Sequence, residues 1–223
     1  MPTPQYGYFK DGKKIPSVTT ILKQEDQSGL VAAANLLGLK GRAIYGPQGE
    51  WSKAADVGTA VHAMIQSFIE GLTVEYSAAA VPAFKSFLEW AGHRLWLGRC
   101  EVALVHTVQD YGGTIDYLDG EGRFIMDWKT SKSFEYSEKF YGQMAGYSML
   151  AESHGMTIDR CTIVRFPKEG GKAEELVIET GSPKERAGRE LFRYLLAAYE
   201  ARQIISAKEE EPPKPQRLGL IAR

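Results

Sequence analysis

Three polar residues near the middle of the chain have the spacing of a site that acts on phosphate. Asp127 and Lys129 lie two residues apart in a strand-like segment, so their side chains point to the same face. Taken alone, this pair is more often an ordinary ion pair. Asp116 lies in the preceding segment, and a tight turn between the two segments would bring the two carboxylates together. Adjacent carboxylates repel each other unless a proton or a cation lies between them, and Mg²⁺ or Mn²⁺ with a phosphate oxygen fits that need.

These residues must be positioned by the elements around them. The turn residues and the period of the apolar residues predict an antiparallel meander with strands over 101–108, 113–118 and 123–130. Helices are predicted over 57–71 and 81–96 before the meander, and a helix over 136–154 follows it. The remaining predicted elements are a short hairpin with its turn at residues 11–12, a short helix from 18 to 22, strands over 160–166 and 175–179, and a last helix over 183–206. This order predicts a mixed α/β domain whose central sheet is flanked by helices.

The bulk composition is that of a folded protein. The chain has 223 residues with 27 basic and 28 acidic side chains, for a net charge of -1. Residues 54–182 hold 11 basic and 18 acidic side chains, whereas both flanks carry a small basic excess. We expect one domain over 1–206, with 1–53 as an entry segment packed on it, and a charged, proline-rich, flexible tail over 207–223.

Several classes of protein are disfavoured. No stretch reaches the 18 apolar residues of a membrane span, and the N-terminus lacks a signal-peptide pattern, so we expect a cytoplasmic protein without a membrane partner. Cys100 and Cys161 are too few for an iron–sulfur cluster or a four-cysteine zinc site. The sequence contains no P-loop, dinucleotide-binding, GxSxG or HExxH motif.

Four motifs in order resemble the PD-(D/E)xK nuclease superfamily. The GTID sequence at 113–116 and the DWK sequence at 127–129 resemble its catalytic core. The VGTAVH sequence at 57–62 resembles the upstream helix motif of the RecB-like and Cas4-like branch, and QMAGY at 143–147 resembles its QxxxY motif. The entry sequence at 16–22 is similar to that of phage and mitochondrial genome-maintenance exonucleases. Because the cysteines are too few, the branch without an iron–sulfur cluster is the better match.

The resemblance implies a restriction-endonuclease-like core and a metal-dependent DNA exonuclease. Its products would carry a 5′-phosphate and a 3′-hydroxyl, and its role would be in phage or bacterial DNA recombination, replication or repair. It would act on single-stranded DNA or DNA ends, in the host cytoplasm if it is phage-encoded, with a recombination or replication protein as a further candidate partner.

The resemblance also implies a set of site residues. One or two Mg²⁺ or Mn²⁺ ions would be held by His62, Asp116, Asp127 and the backbone carbonyl of Trp128. Lys129 would act beside the attacking water. Residues implied to contact DNA or to orient Lys129 are Gln143, Tyr147, Ser17 and Thr19. Glu101 resembles an acidic position of several relatives and could bind a second metal ion, but an ordinary glutamate at a strand end is equally plausible.

Two other functions remain open at this point. One is a catalytically silent, DNA-binding recombination accessory protein with the same fold. The other is a metal-dependent hydrolase of a small phosphoester. We also expect the basic flanks, including Lys10, Lys13 and Lys14 and the arginines Arg186, Arg189 and Arg193, to hold a nucleic-acid backbone and to make binding steeply salt-dependent.

Overall fold

A computed structural model describes residues 7–24, 50–131 and 137–207. Its helices are α1 (Val18–Leu22), α2 (Glu50–Ile69), α3 (Val81–Ala91), α4 (Ser137–Ser153) and α5 (Pro183–Ser206). Its strands are β1 (Tyr8–Lys10), β2 (Lys13–Ile15), β3 (Arg99–Val105), β4 (Gly112–Leu118), β5 (Phe124–Lys129), β6 (Arg160–Arg165) and β7 (Glu174–Glu179).

Strands β3 to β7 form a five-stranded sheet in chain order, and β1 and β2 form a separate hairpin. The β5–β6 pair is parallel and the other neighbours are antiparallel, because α4 provides the crossover that a parallel pair requires. The predicted meander is therefore confirmed in β3, β4 and β5. The predicted mixed α/β architecture, a central mixed sheet flanked by helices, is also confirmed.

Helices cover both faces of the sheet, and each face has its own apolar core. Helices α1, α4 and α5 pack on one face around Ile115, Ile163 and Phe192. Helices α2 and α3 pack on the other face around Phe87, Trp128 and Phe166. Strand β5 contributes Ile125 to the first core and Trp128 to the second, so its side chains alternate between the two faces of the sheet. Asp127 and Lys129 therefore lie on the same face as Ile125, which is the face that α4 covers.

Two predicted boundaries differ from the structure. Helix α2 begins at Glu50, before the predicted start at 57. Helix α3 ends at Ala91 and does not continue to 96, because Gly92 takes a left-handed φ of 52° and its N–H closes on the carbonyl of Leu88. The chain then turns so that Trp96 packs edge-on against Tyr117, with 5.1 Å between ring centroids.

The described part of the entry segment lies against the sheet. Ser17 forms a parallel bridge with Gly112, and the N–H of Gly112 donates to the carbonyl of Pro16 at 2.9 Å. Residues 25–49 and 208–223 lie outside the described residues, so the single domain over 1–206 and the tail over 207–223 stay predictions. Among the helices of the described ranges, none has the length and apolar content to cross a membrane.

Candidate active site

The site forms where the pairing of the central strands is interrupted. The β3–β4 register pairs Cys100 with Tyr117 and Val102 with Ile115, and it leaves out Glu101 between them. Glu101 has a left-handed φ of 51°, a conformation that costs energy in a residue with a side chain. The β4–β5 ladder covers Tyr117–Met126 and Leu118–Ile125. Beyond it, the N–H of Trp128 donates at 2.7 Å to a carboxylate oxygen of Asp116. The side chain of Asp116 thus replaces a strand carbonyl and is held in one orientation.

A histidine from α2 completes a cluster with these two carboxylates. Nδ1 of His62 lies 3.6 Å from Oδ2 of Asp116 and 3.9 Å from Oε1 of Glu101. One ligand atom from each of the three residues lies within 4.8 Å of the others. Nε2 of His62 lies 3.0 Å from the carbonyl oxygen of Trp128, and if it donates there, the lone pair of Nδ1 faces the carboxylates. Metal-binding histidines are commonly oriented in this way.

Asp127 belongs to a second, adjoining group. Its side chain is 2% exposed, and its Oδ2 lies 2.5 Å from Nζ of Lys129. Its other oxygen accepts a hydrogen bond of 2.9 Å from the amide of Gln143, and that amide also lies 3.3 Å from the hydroxyl of Tyr147. Helix α4 therefore fixes Asp127 through Gln143, and Asp127 in turn fixes the ammonium of Lys129.

The donor set fits a hard divalent cation. An imidazole nitrogen and two carboxylates converge, which matches the preference of Mg²⁺ and Mn²⁺ for oxygen with limited nitrogen ligation. The convergent set contains Glu101 in place of the expected Asp127. The carbonyl of Trp128, also an expected ligand, instead contacts His62. The roles of these residues as ligands remain predictions.

In the absence of a cation, the carboxylates and their burial shift the pKa values of His62 and Asp116. Burial lowers the pKa of His62, but the carboxylates of Asp116 and Glu101 outweigh burial and raise it to about 9. Burial raises the pKa of Asp116 above the usual range of a carboxyl group. A proton on Nδ1 of His62 would therefore lie beside the carboxylates of Asp116 and Glu101, the groups that would also hold a cation.

These side chains lie on the wall of a cavity of about 800 Å³. Every site residue predicted from the sequence lines it except Trp128, whose side chain is buried in the core between the sheet and helices α2 and α3. Ser17 and Thr19 contribute hydroxyls at the rim, where Ser17 also caps α1 by accepting from the N–H of Thr20.

The lining residues that the sequence interpretation missed include Tyr8, Thr114 and Tyr199. Thr114 could have been found, because it lies two residues before Asp116 and alternation places both on one face. Tyr8 has no local signal, since its hydroxyl bonds to Thr114 at 2.6 Å across 106 residues of sequence.

The basic residues of α5 lie elsewhere. Arg189 pairs with Glu152 and Glu185, and Arg193 pairs with Glu190. None of the three arginines expected to hold DNA is among the cavity-lining residues, which include Lys14 and Lys129.

No protein-family model matches the chain, and no curated protein matches it either. Solved structures give weak matches. An alkaline exonuclease from Laribacter hongkongensis, LHK-Exo, is 16% identical with a TM-score of 0.37 over 69% of this chain and 91% of that one. A phage-related exonuclease from Haemophilus somnus is 13% identical with a TM-score of 0.36 over 74% of this chain and 92% of that one. At this level of similarity, the function of the chain must be inferred from its own site.

Proposed function

We propose that the protein is a Mg²⁺- or Mn²⁺-dependent deoxyribonuclease of the PD-(D/E)xK type. The observation that carries this proposal is the convergence of His62, Glu101 and Asp116 beside the Asp127–Lys129 pair in one cavity. The resemblance of the four sequence motifs supports it, because the motifs come from α2, β4, β5 and α4 and meet at this cavity.

His62, Glu101 and Asp116 would hold the cation, and Asp127 would hold Lys129 beside them. A divalent cation there supplies Lewis-acid stabilisation of the charge that develops on the phosphoryl oxygens and on the leaving oxygen. In the hydrolysis, water attacks phosphorus, the bond from phosphorus to the 3′ oxygen breaks, and the 3′ oxygen takes a proton. The products carry a 5′-phosphate and a 3′-hydroxyl.

Among the described residues that line the cavity, Lys129 is the group best placed to act on the reacting atoms. Its ammonium is held by the buried carboxylate of Asp127, and a positive charge that is fixed in place before the reaction stabilises developing negative charge without reorganisation. It would orient the attacking water or stabilise the phosphoryl oxygens. Gln143 would be a positioning residue, because it acts through Asp127.

We further propose exonuclease action in phage or bacterial DNA recombination, replication or repair, on the strength of the sequence resemblance. The test uses end-labelled single- and double-stranded oligonucleotides and a closed circular plasmid, each with Mg²⁺, Mn²⁺ or excess EDTA. We expect progressive shortening from an end with either cation, no cleavage in EDTA, and no nicking of the circle.

The matched variants are Asp116→Asn in the cavity and Glu190→Gln on the surface of α5. We expect Asp116→Asn to lose cleavage and Glu190→Gln to keep it. Undiminished cleavage in EDTA, or by Asp116→Asn, would overturn the assignment. Binding of DNA without cleavage under any of these conditions would support the accessory-protein alternative.

A further inference from the structure

The β1–β2 hairpin is fixed at the edge of the cavity by one of its faces. Tyr8 and Ile15 form a cross-strand pair and are both buried. Besides the Tyr8–Thr114 hydrogen bond, Nζ of Lys10 contacts the carbonyl oxygens of Val108 and Gln109 in the loop between β3 and β4. The hairpin is therefore a rigid part of the cavity wall.

The opposite face of the hairpin presents an aromatic ring and a cation side by side. Phe9 pairs directly with Lys14, and residues paired in this way have Cβ atoms about 5 Å apart. Phe9 is 49% exposed, and Lys14 lines the cavity. The stem of Lys14 lies across Gly7, whose φ of 89° and missing side chain leave room for it. Phe9 thus stands just outside the cavity, next to a residue of its rim.

The charges at the rim point to a phosphate-bearing ligand. Within the described ranges, neither Lys13 nor Lys14 has a carboxylate within ion-pair distance, whereas Lys129 is paired with Asp127. Lys14 is therefore the lysine of the described lining that is available to a phosphate away from the reacting group.

We propose that the hairpin is a docking element for single-stranded DNA, in which Phe9 stacks on a base and Lys14 contacts the adjacent phosphate. This inference rests on the proposed nuclease function and names its substrate. An exposed ring beside a lysine is the combination that single-strand binding sites use, because an unpaired base offers its face for stacking while its phosphate needs a cation. A base inside a duplex is already stacked on both sides and cannot offer a face to Phe9.

The experiment measures kcat and KM for a single-stranded oligonucleotide and for a blunt-ended duplex of the same sequence, in Mg²⁺. We expect the wild-type protein to prefer the single strand. Phe9→Ala should lower kcat/KM on the single strand by about 5- to 100-fold, almost wholly through KM, and Phe9→Trp should restore it. Tyr194→Ala removes a more exposed aromatic side chain on α5, 72% exposed against 49% for Phe9, and should leave both constants unchanged.

The salt dependence of KM tests Lys14 separately. One phosphate contact to a single strand contributes about 0.7 to the slope of log KM against log salt concentration. We expect Lys14→Ala to lower that slope by about this amount, and Lys85→Ala, an exposed lysine of α3, to leave it unchanged. Thermal melting checks that every variant is folded.

The outcomes separate this inference from the proposed function. A wild-type protein that cleaves no DNA contradicts the proposed function itself. A protein that cleaves DNA, but whose KM for the single strand is unaffected by Phe9→Ala and by Lys14→Ala, overturns the docking role of the hairpin alone.

Discussion

The protonation state of His62 should affect how tightly the site binds a cation. Its Nε2 contacts the carbonyl of Trp128, and its Nδ1 faces Asp116 and Glu101. The carboxylates that raise its pKa are also those that we propose to hold the divalent cation. A cation and the proton of His62 therefore compete for one position, and metal affinity should rise with pH as the proton is lost.

The first prediction concerns the stability of the metal-free protein. The pKa of His62 is about 9 in the folded protein and 6.5 in the unfolded chain, so its contribution is fully present below pH 6.5 and is lost as the pH rises toward 9. We expect the free energy of unfolding in EDTA to fall by about 1–3 kcal/mol over this window. Urea unfolding between pH 6.5 and 8.5 measures most of the change.

His62→Gln is the control for the imidazole, because glutamine cannot titrate, and Asp116→Asn is the control for the carboxyl group whose pKa burial also raises. The buried thiols of Cys100 and Cys161 also disfavour high pH, since burial raises their pKa values to about 12, but they are present in all of these proteins. A wild-type stability that falls no more steeply than that of His62→Gln would contradict the prediction.

The second prediction concerns Lys129. Lys129→Met keeps most of the stem but removes the charge beside Asp127, so kcat should fall by about 100-fold or more with little change in KM. Lys85→Met on the exposed surface of α3 is the control, and steady-state cleavage of a labelled oligonucleotide is the measurement. A variant with the wild-type kcat would exclude Lys129 from the reaction.

At the scale of elements, local patterns were enough to predict the meander and the helices around it. The period of the apolar residues and the turn sequences gave β4 and β5 nearly to the residue, and with them the common face of Asp127 and Lys129. The place of Glu101 in the cluster could not be decided in this way. It depends on a left-handed residue inside β3, which turns the side chain toward Asp116 and has no signature in the alternation of the strand.

The third prediction tests the packing that positions Gln143. Helices α4 and α5 approach closely at Gly188, where a Cβ atom would lie 2.6 Å from the carbonyl oxygen of Tyr141, two residues before Gln143. Alanine would gain at most about 1 kcal/mol in helix propensity, but a clash with backbone cannot be relieved by a rotamer change. We expect Gly188→Ala to lower the free energy of unfolding by about 1–3 kcal/mol and to lower kcat.

The matched control is Arg193→Ala, an exposed change on the same helix that should alter stability by less than about 0.5 kcal/mol. Urea unfolding and steady-state cleavage measure both variants. A Gly188→Ala protein more stable than the wild type would mean that the two helices can separate without cost.

At the scale of the whole molecule, the near-zero net charge is the sum of separate groups with different partners. The acidic centre contains the cavity carboxylates, where a cation would offset part of the charge. Part of the positive charge of the last helix is neutralised by ion pairs within the protein, since Arg189 bridges Glu152 of α4 and Glu185 of its own helix. Thus the sequence correctly suggested an uneven charge distribution, but it could not tell a paired arginine from one available to DNA.

The last prediction separates these two uses of positive charge. Arg189→Ala leaves Glu185, which is 8% exposed on its side chain, without its charged partner, so the free energy of unfolding should fall by about 1–3 kcal/mol. Because Arg189 has no place in the cavity lining, the slope of log KM against log salt concentration should stay that of the wild type. Urea unfolding measures the change in stability. Cleavage assays over a salt range of about 50 to 200 mM, where phosphate contacts change affinity strongly, measure the slope for the same variant. A slope reduced by about 0.7 with unchanged stability would show instead that Arg189 leaves its ion pairs and neutralises a phosphate of the bound strand.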